Sequence, residues 1–428
     1  MSERIVITGM AVNTVLGDQL DGYLRALLAG QSGIGTWKRI TAEAGGLPSP
    51  VGGDLSDYDI AAKLDSLTDL VPASVHNRLV KLSRRLPWSL QLSIILAVEA
   101  WRDASAFGVE GIQDSASVIV AGHNLNHSYI SSNLDVYRNE PLFIDGVYGI
   151  HVWDTAHAAC VAEVLQIHGT AQIAGAACAS GNYALRVAID EVRHHSASCA
   201  LVLGAVTDLA PIDIQGFSLL GALSQDSFID RPTAASRPFD VKREGFVPAH
   251  GLGGLVIEPL TAALRRRARI YAEVLGVETA ADASHLPNPS SVGQVLAMRR
   301  VLQRCDIAPQ DVDYVNGHFT ATPVGDVAEI AAIREVFGDH AYRLKMNATK
   351  SLIGHSLGSS AIVELVGAVL QMNAGMLHPT INIDELDPAI DVDVCRGGPQ
   401  PCDVRILMKN AFGFGGLNSS CLVRRWEG

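Results

Sequence analysis

The sequence predicts an α/β fold, and three observations carry that prediction. Short apolar runs alternate with helix-length amphipathic stretches along the whole chain. Forty glycines stand beside only 6% aromatic residues, a balance suited to tight turns and close backbone contacts. At 428 residues and 48% hydrophobic content, the chain is long enough to bury a large core or several packed units.

The strand signals come as Ile5-Val6-Ile7, Ser117–Val120, Leu201–Leu203, Gly254–Ile257 and Cys421–Val423. They are continuous apolar runs without polar alternation, as expected of strands covered on both faces. Helical patterns lie between them. Ser89–Ala104 is rich in Leu, Ile and Ala; Tyr183–His194 places Ala184, Leu185, Ala188, Ile189 and Val192 on one face; Ser359–Ala374 does the same with Ile362, Leu365, Val366 and Val369. Ser224–Gly245 is turn-rich and reads as a surface loop. Each half of the chain offers strands, long helices and a Gly-rich end, so the expected division is 1–259 and 260–428.

Composition excludes several classes. With 18% charged residues the chain is too apolar for disorder. Seven cysteines, without a CxxC pair, argue against a disulfide scaffold and against a structural zinc site. A net charge of −12 disfavours general nucleic-acid binding. The segment from Met1 to Val12 lacks the form of a signal peptide, and runs such as Ile94–Val98 and Cys199–Val206 fall well short of the ~20 residues that span a bilayer. The expectation is a cytoplasmic protein without a membrane or nucleic-acid partner.

Four segments have the makings of a site. In Ala176–Gly181, Cys178 stands among small residues between an apolar run and an amphipathic helix, where the helix dipole favours thiolate and a backbone N–H can meet an oxyanion. A buried structural cysteine would look the same locally. In Val315–Asp326, His318 follows an apolar stretch and precedes a turn fixed by Pro323 and Gly325; a hydrogen-bonded loop histidine is the plainer reading. In Lys350–Gly358, Lys350 and His355 precede a long apolar helix, and positive charge there should hold the imidazole neutral; a surface turn is the alternative. In Asn410–Asn418, Phe412 and Phe414 alternate with glycines, which suggests a wall of aromatic rings gating an apolar cavity, or a tight turn between core strands. The stretch matches neither the GxxxxGK[ST] nor the GxGxxG phosphate-binding pattern.

Taken in order, these segments resemble the β-ketoacyl-acyl carrier protein synthases, the ketosynthases of fatty acid and polyketide synthesis. The likeness runs through Val6–Gly9, Ala26–Ile34, Ala234–Asp240, Arg243–Val247 and the His318, Lys350/His355 and Phe412–Asn418 motifs, nearly the whole chain. It implies the thiolase-like fold, two similar halves in a five-layered αβαβα arrangement, paired as a homodimer or with a related ketosynthase-like subunit. By motif match Cys178 resembles the nucleophile, His318 and His355 the two active-site histidines, and Lys350 the lysine that orders the second histidine motif. The backbone N–H groups of Cys178 and Phe414 would form the oxyanion hole, with Phe414 and Phe412 gating. Asp326, Glu329, Glu364, Thr320 and Thr322 fall at supporting positions.

The resemblance implies decarboxylative Claisen condensation between an acyl group on Cys178 and a malonyl-carrier thioester, without metal, nucleotide or flavin. The implied partner is an acyl carrier protein bearing phosphopantetheine thioesters, docked at Arg78, Lys81, Arg84 and Arg85; the denser run Arg265–Arg267 with Arg269 ranks second. A decarboxylase or acyltransferase on the same scaffold, or a chain-length-factor-like partner subunit, would share most of these motifs. Retention of Cys178 argues against a pure decarboxylase and against the partner-subunit reading. Four departures suggest a specialised synthase of a polyketide or other secondary pathway: Phe319 beside His318, His250 in Pro248–Gly253 where the family has an acidic residue, Ala361 for a glycine, and a polar or bulky stretch with His123, Asn124, Asn126, His127, Tyr148, His151 and Trp153.

Overall fold

The structure is a computed structural model and describes residues 3–40, 47, 49–284 and 290–428. Its frame is one mixed sheet of ten strands. In chain order these are β1 (Ile5–Thr14), β2 (Ser117–Ala121), β3 (Ala171–Ala174), β4 (Ala200–Gly204), β5 (Gly251–Pro259), β6 (Ala272–Ala281), β7 (Tyr314–Asn316), β8 (Lys345–Asn347), β9 (Ile406–Gly413) and β10 (Leu417–Arg425). The expected apolar runs all lie within them. β1, β2 and β4 are buried at every position, which accounts for the missing alternation in their sequences.

Across the sheet the order is β8-β7-β9-β10-β6-β1-β5-β4-β2-β3. Each set of five, counted from the centre, runs first, fifth, fourth, second, third. The directions repeat too. β2 is parallel to β3 and β4, as β7 is to β8 and β9, while β5 and β10 run antiparallel to their neighbours. The halves join where Ile5–Ile7 pairs with Ala272–Val274. The chain is thus a structural repeat without a visible sequence repeat.

Helices complete the layers. The ones that matter here are α1 (Ala73–Ser83), α2 (Trp88–Asp103), α3 (His127–Asn139), α4 (Thr155–Leu165), α5 (Ser180–His194), α6 (Pro211–Leu219), α7 (Ser291–Arg304), α8 (Gly325–Phe337) and α9 (Ser360–Ala374). α2 and α4 cover the outside of the first half and α7 and α8 the outside of the second, while α5 and α9 pack between the halves. The three largest core clusters follow these layers: one around α5 and α9, one under α2, one under α7 and α8. Among the described residues one helical stretch, Leu357–Ala374, is long and apolar enough to cross a membrane; it is 83% buried, as the central core helix.

The repeat decides where chemistry can occur. α5 follows β3 and α9 follows β8, equivalent places in the two halves, and their first turns meet. A Cβ on Gly181 would lie 2.8 Å from Ala361 Cβ and 2.9 Å from Ile362 N. Gly181→Val should therefore force the two helix starts apart, at a cost of about 1–3 kcal/mol. Denaturant unfolding measures it; an unchanged midpoint would mean that the helices are not locked at this contact.

Candidate active site

Each candidate residue sits just beyond the C-terminal end of a strand, where open α/β sheets present their ligands. Cys178 follows β3, His318 follows β7, His355 follows β8 and Phe414 follows β9. The turn holding Cys178 is sharp. Ala177 takes a left-handed φ of 47°, Ala176 N–H donates to Ser180 Oγ at 2.8 Å, and Ser180 Oγ–H donates to Ala177 O at 2.6 Å. Gly413 allows the facing strand to approach, since a Cβ there would meet Ala176 O at 2.6 Å.

The three side chains converge. Cys178 Sγ and one nitrogen each of His318 and His355 all lie within 4.8 Å of one another. The two rings stand edge to face, 5.4 Å between centroids. Phe246 packs on His355 at 5.3 Å and Phe412 on His318 at 5.9 Å. The three reacting groups line one cavity, together with Thr320, Thr322 and Phe414.

Both histidines are held neutral. Burial is the larger cause; the ammonium groups of Lys350 and Lys409 add to it, and both imidazoles lie well below their ordinary pKa. His355 Nδ1 lies 2.7 Å from Ser360 Oγ and accepts Leu357 N–H at 3.3 Å, the arrangement of a ring that carries its proton on Nε2. That Nε2 is buried and, like His318 Nδ1, has no hydrogen-bond partner among the described residues. Unpaired buried nitrogens facing a cavity are groups kept for a ligand.

Charge beneath the site is arranged around Glu364. Its Oε1 lies 2.5 Å from Lys350 Nζ and its Oε2 lies 2.6 Å from Lys409 Nζ. Lys409 Nζ also donates to Asn410 O at 2.6 Å. All three charged groups are at most 2% exposed. Two ammonium ions and one carboxylate leave a net positive charge below the thiol. Lys409 was not picked out in the sequence, although a lysine inside the apolar strand Ile406–Gly413 was the available signal.

Asp326 and Glu329 act through backbone. Glu329 accepts the N–H groups of His318 and Phe319 at 2.9 Å each, and Asn410 Nδ2–H at 3.2 Å. Asp326 accepts Ala321 N–H at 3.1 Å and Phe239 N–H at 3.0 Å. Burial pushes the Asp326 carboxyl up to about 7. Thr320 and Thr322 share a hydrogen bond between their hydroxyls at 3.0 Å on the cavity wall.

Several expectations need correction. The thiolate expected of Cys178 is not the resting form: burial, only partly offset by Lys350 and by the N–H groups of Phe414 and Cys178 itself, pushes the thiol up to about 11. Ser224–Gly245 is no ordinary surface loop. Arg237 is buried between Asp240 (2.9 Å) and Asp384 (2.7 Å), and Arg243 Nη1 lies 2.8 Å from Asp387 while its Nη2–H donates to Pro323 O, also at 2.8 Å. Phe239 of the same segment packs edge to face on Phe319, 4.6 Å between centroids. Phe319 thus packs into the core below His318 while still lining the active cavity, with a strained φ of 21° where the resemblance calls for glycine. His250 packs between Trp37 and Trp88 and does not line the active cavity. Of the four basic residues around α1, Lys81, Arg84 and Arg85 are exposed, and Arg78 is half-buried and donates to Val164 O at 3.2 Å.

A thiol on a tight elbow, facing two neutral imidazoles over a buried positive charge, defines a cysteine acyl-transfer scaffold. Residues 2–263 match the N-terminal domain of β-ketoacyl synthases and residues 271–384 the C-terminal domain. The chain belongs to the β-ketoacyl synthase family. It is 32% identical over 431 residues to 3-oxoacyl-[acyl-carrier-protein] synthase 2 of Coxiella burnetii, covering 99% of this chain and 98% of that one. It is 31% identical over 429 residues to the polyketide biosynthesis malonyl-ACP decarboxylase PksF of Bacillus subtilis, covering 99% and 97%. Among solved structures, the ishigamide ketosynthase/chain length factor superposes with a TM-score of 0.87 at 27% identity over all of both chains. AntDE:AntF, a type II polyketide ketosynthase with its acyl-carrier protein, gives 0.86 at 25% identity, again over all of both. The fold is thiolase-like, as these neighbours and the repeated five-strand order agree.

Two tests follow from the electrostatics. Alkylation of Cys178 by iodoacetamide should quicken about tenfold per pH unit from about pH 7 to about pH 10, and Lys350→Met should slow it throughout, because the ammonium favours the thiolate; peptide mass mapping reads it, and a pH-independent rate would mean a preformed thiolate. Glu364→Gln leaves two buried ammonium groups without a counter-ion and should cost about 3–5 kcal/mol in denaturant unfolding.

Proposed function

We propose that this chain is a β-ketoacyl-acyl carrier protein synthase, an acyltransferase that forms carbon–carbon bonds. The observation that carries the reading is the meeting of Cys178 Sγ with both imidazoles at the end of one cavity. Cys178 Sγ attacks the carbonyl carbon of an acyl thioester, and the oxyanion takes the N–H groups of Cys178 and Phe414. The pantetheine sulfur leaves with the proton that the thiol gives up.

A malonyl-carrier thioester then enters. Its terminal carbon–carbon bond breaks, CO₂ departs, and the electron pair passes into an enolate. The enolate oxygen sits on His355 Nε2–H and on the ring of His318, above the net positive charge of Lys350, Glu364 and Lys409. Its carbon attacks the acyl-Cys178 carbonyl, Sγ leaves as thiolate and takes a proton from water, and the β-ketoacyl-carrier product departs. Phe414, which lines both cavities at Cys178, gates the exchange of thioesters, with Phe412 behind it. Asp326 and Glu329 hold the His318 loop. Thr320 and Thr322 offer hydroxyls to the pantetheine arm.

Decarboxylation alone would need only the histidines, so a buried thiol within reach of both supports condensation over the activity for which PksF is named. The donor partner in this reading is an acyl carrier protein, an acidic protein received by Lys81, Arg84 and Arg85 with Arg78 beside them. β3 is one of the sheet's two edge strands, and pairing with a second copy or a related subunit is consistent with that free edge. Seven unpaired cysteines, the catalytic thiol among them, support a cytoplasmic setting.

The test is intact-mass analysis with acyl-carrier and malonyl-carrier substrates. The wild-type enzyme should gain one acyl group on Cys178 and then release an elongated β-ketoacyl-carrier. Cys178→Ala should lose acylation and keep CO₂ release. His318→Ala and His355→Ala should each lower CO₂ release about a hundredfold or more. CO₂ release without any elongated product from the wild-type chain would overturn the condensing reading.

A further inference from the structure

Behind Cys178 lies a second cavity whose walls include neither His318 nor His355. Leu209, Phe217, Leu357 and Phe414 make most of its lining apolar. His123, Asn124 and Thr207 also line it, and so does a directly paired couple: His127 Nδ1 lies 2.5 Å from Asp213 Oδ1.

The pair is held from several sides. Asp213, in the first turn of α6, accepts Ala210 N–H on its other oxygen at 2.8 Å. His127 opens α3, and the chain just before it is pinned by Asp154, which accepts the N–H groups of Asn124 and Leu125 at 2.8 Å each. The side chain of Asn126 is bonded in turn to Ser89 at 2.6 Å and to the fully buried His157 at 3.1 Å. With Nδ1 committed to Asp213, His127 Nε2 makes no hydrogen bond to any described residue. Asp213 also raises the imidazole's pKa, which favours a hydrogen on both ring nitrogens.

A plain alkyl chain filling this cavity would strip water from the pair and return no hydrogen bond. A chain with an oxygen acceptor restores one, and to a charged donor. Building on the condensing-enzyme reading, we propose that the acyl group loaded onto Cys178 is oxygenated, with a ketone or hydroxyl oxygen bound by His127, and that Asp213 orients the ring for it. The enzyme thereby selects functionalised acyl chains over saturated ones.

The loading half-reaction tests this directly. Sγ replaces the pantetheine sulfur at the acyl carbonyl, the pantetheine thiol is released with the thiol's proton, and the enzyme gains the acyl mass. The probes are synthetic pantetheine thioesters of straight alkyl chains from pentanoyl to octanoyl, each matched with the chain bearing a ketone at the penultimate carbon. At one or more lengths, the wild-type enzyme should load the keto chain about tenfold faster than its alkyl partner. His127→Leu should abolish or reverse the preference, and His127→Gln, which keeps an N–H donor, should retain part of it. The ratio within one variant does not depend on how much of it is active. Equal rates for both partners at every length, or a preference that survives His127→Leu, would overturn the proposal. Failure of every probe to acylate Cys178 would instead sink the condensing-enzyme reading beneath it.

Discussion

The interaction on which the site depends is the bridge that Glu364 makes between Lys350 and Lys409. Three charged groups lie in the interior at 2% exposure or less, an arrangement that is costly to desolvate and strongly destabilising to break. It persists because it serves several ends together. Its surplus positive charge favours negative charge in the cavity above, and with burial it keeps both imidazoles neutral and able to donate. It also ties strand to helix, since Lys409 belongs to β9 and Glu364 to α9.

Around this bridge the repeated architecture supplies the remaining geometry. Neither half holds a complete site. The first contributes the thiol at the start of α5; the second contributes both histidines, the aromatic wall and the buried charges. Two helices equivalent in the repeat point their first turns at one place, so Cys178 and His355 arrive there by the same topological route. His318 comes instead from the loop between β7 and α8, several residues before that helix begins. Its support is assembled from Glu329, Asp326 and the buried Arg237–Arg243 segment.

Much of this was legible in the sequence, for identifiable reasons. The short strands lie in the interior, so their apolar runs are unbroken and stand out. α5 and α9 carry clear stripes, and their starts are marked by the Cys178 and His355 motifs. Residues whose meaning depends on a distant partner were harder to read. Lys409 is one charge in an apolar strand until Glu364 is placed opposite it. Ser224–Gly245 has the composition of a surface loop, and only its burial against the His318 loop distinguishes it. Helix-dipole reasoning set the sign of one influence on Cys178, but the desolvation that outweighs it is a property of the packed fold.

The thiol hangs from one of the two edge strands of the sheet. β3 has a neighbour on one side only, and Ala171 is exposed at its start. A half-bonded strand opens locally more readily than the interior strands do. Whatever surface completes that ladder therefore steadies the elbow three residues downstream of it, and assembly at the rim of the molecule becomes a way of tuning reactivity at its heart.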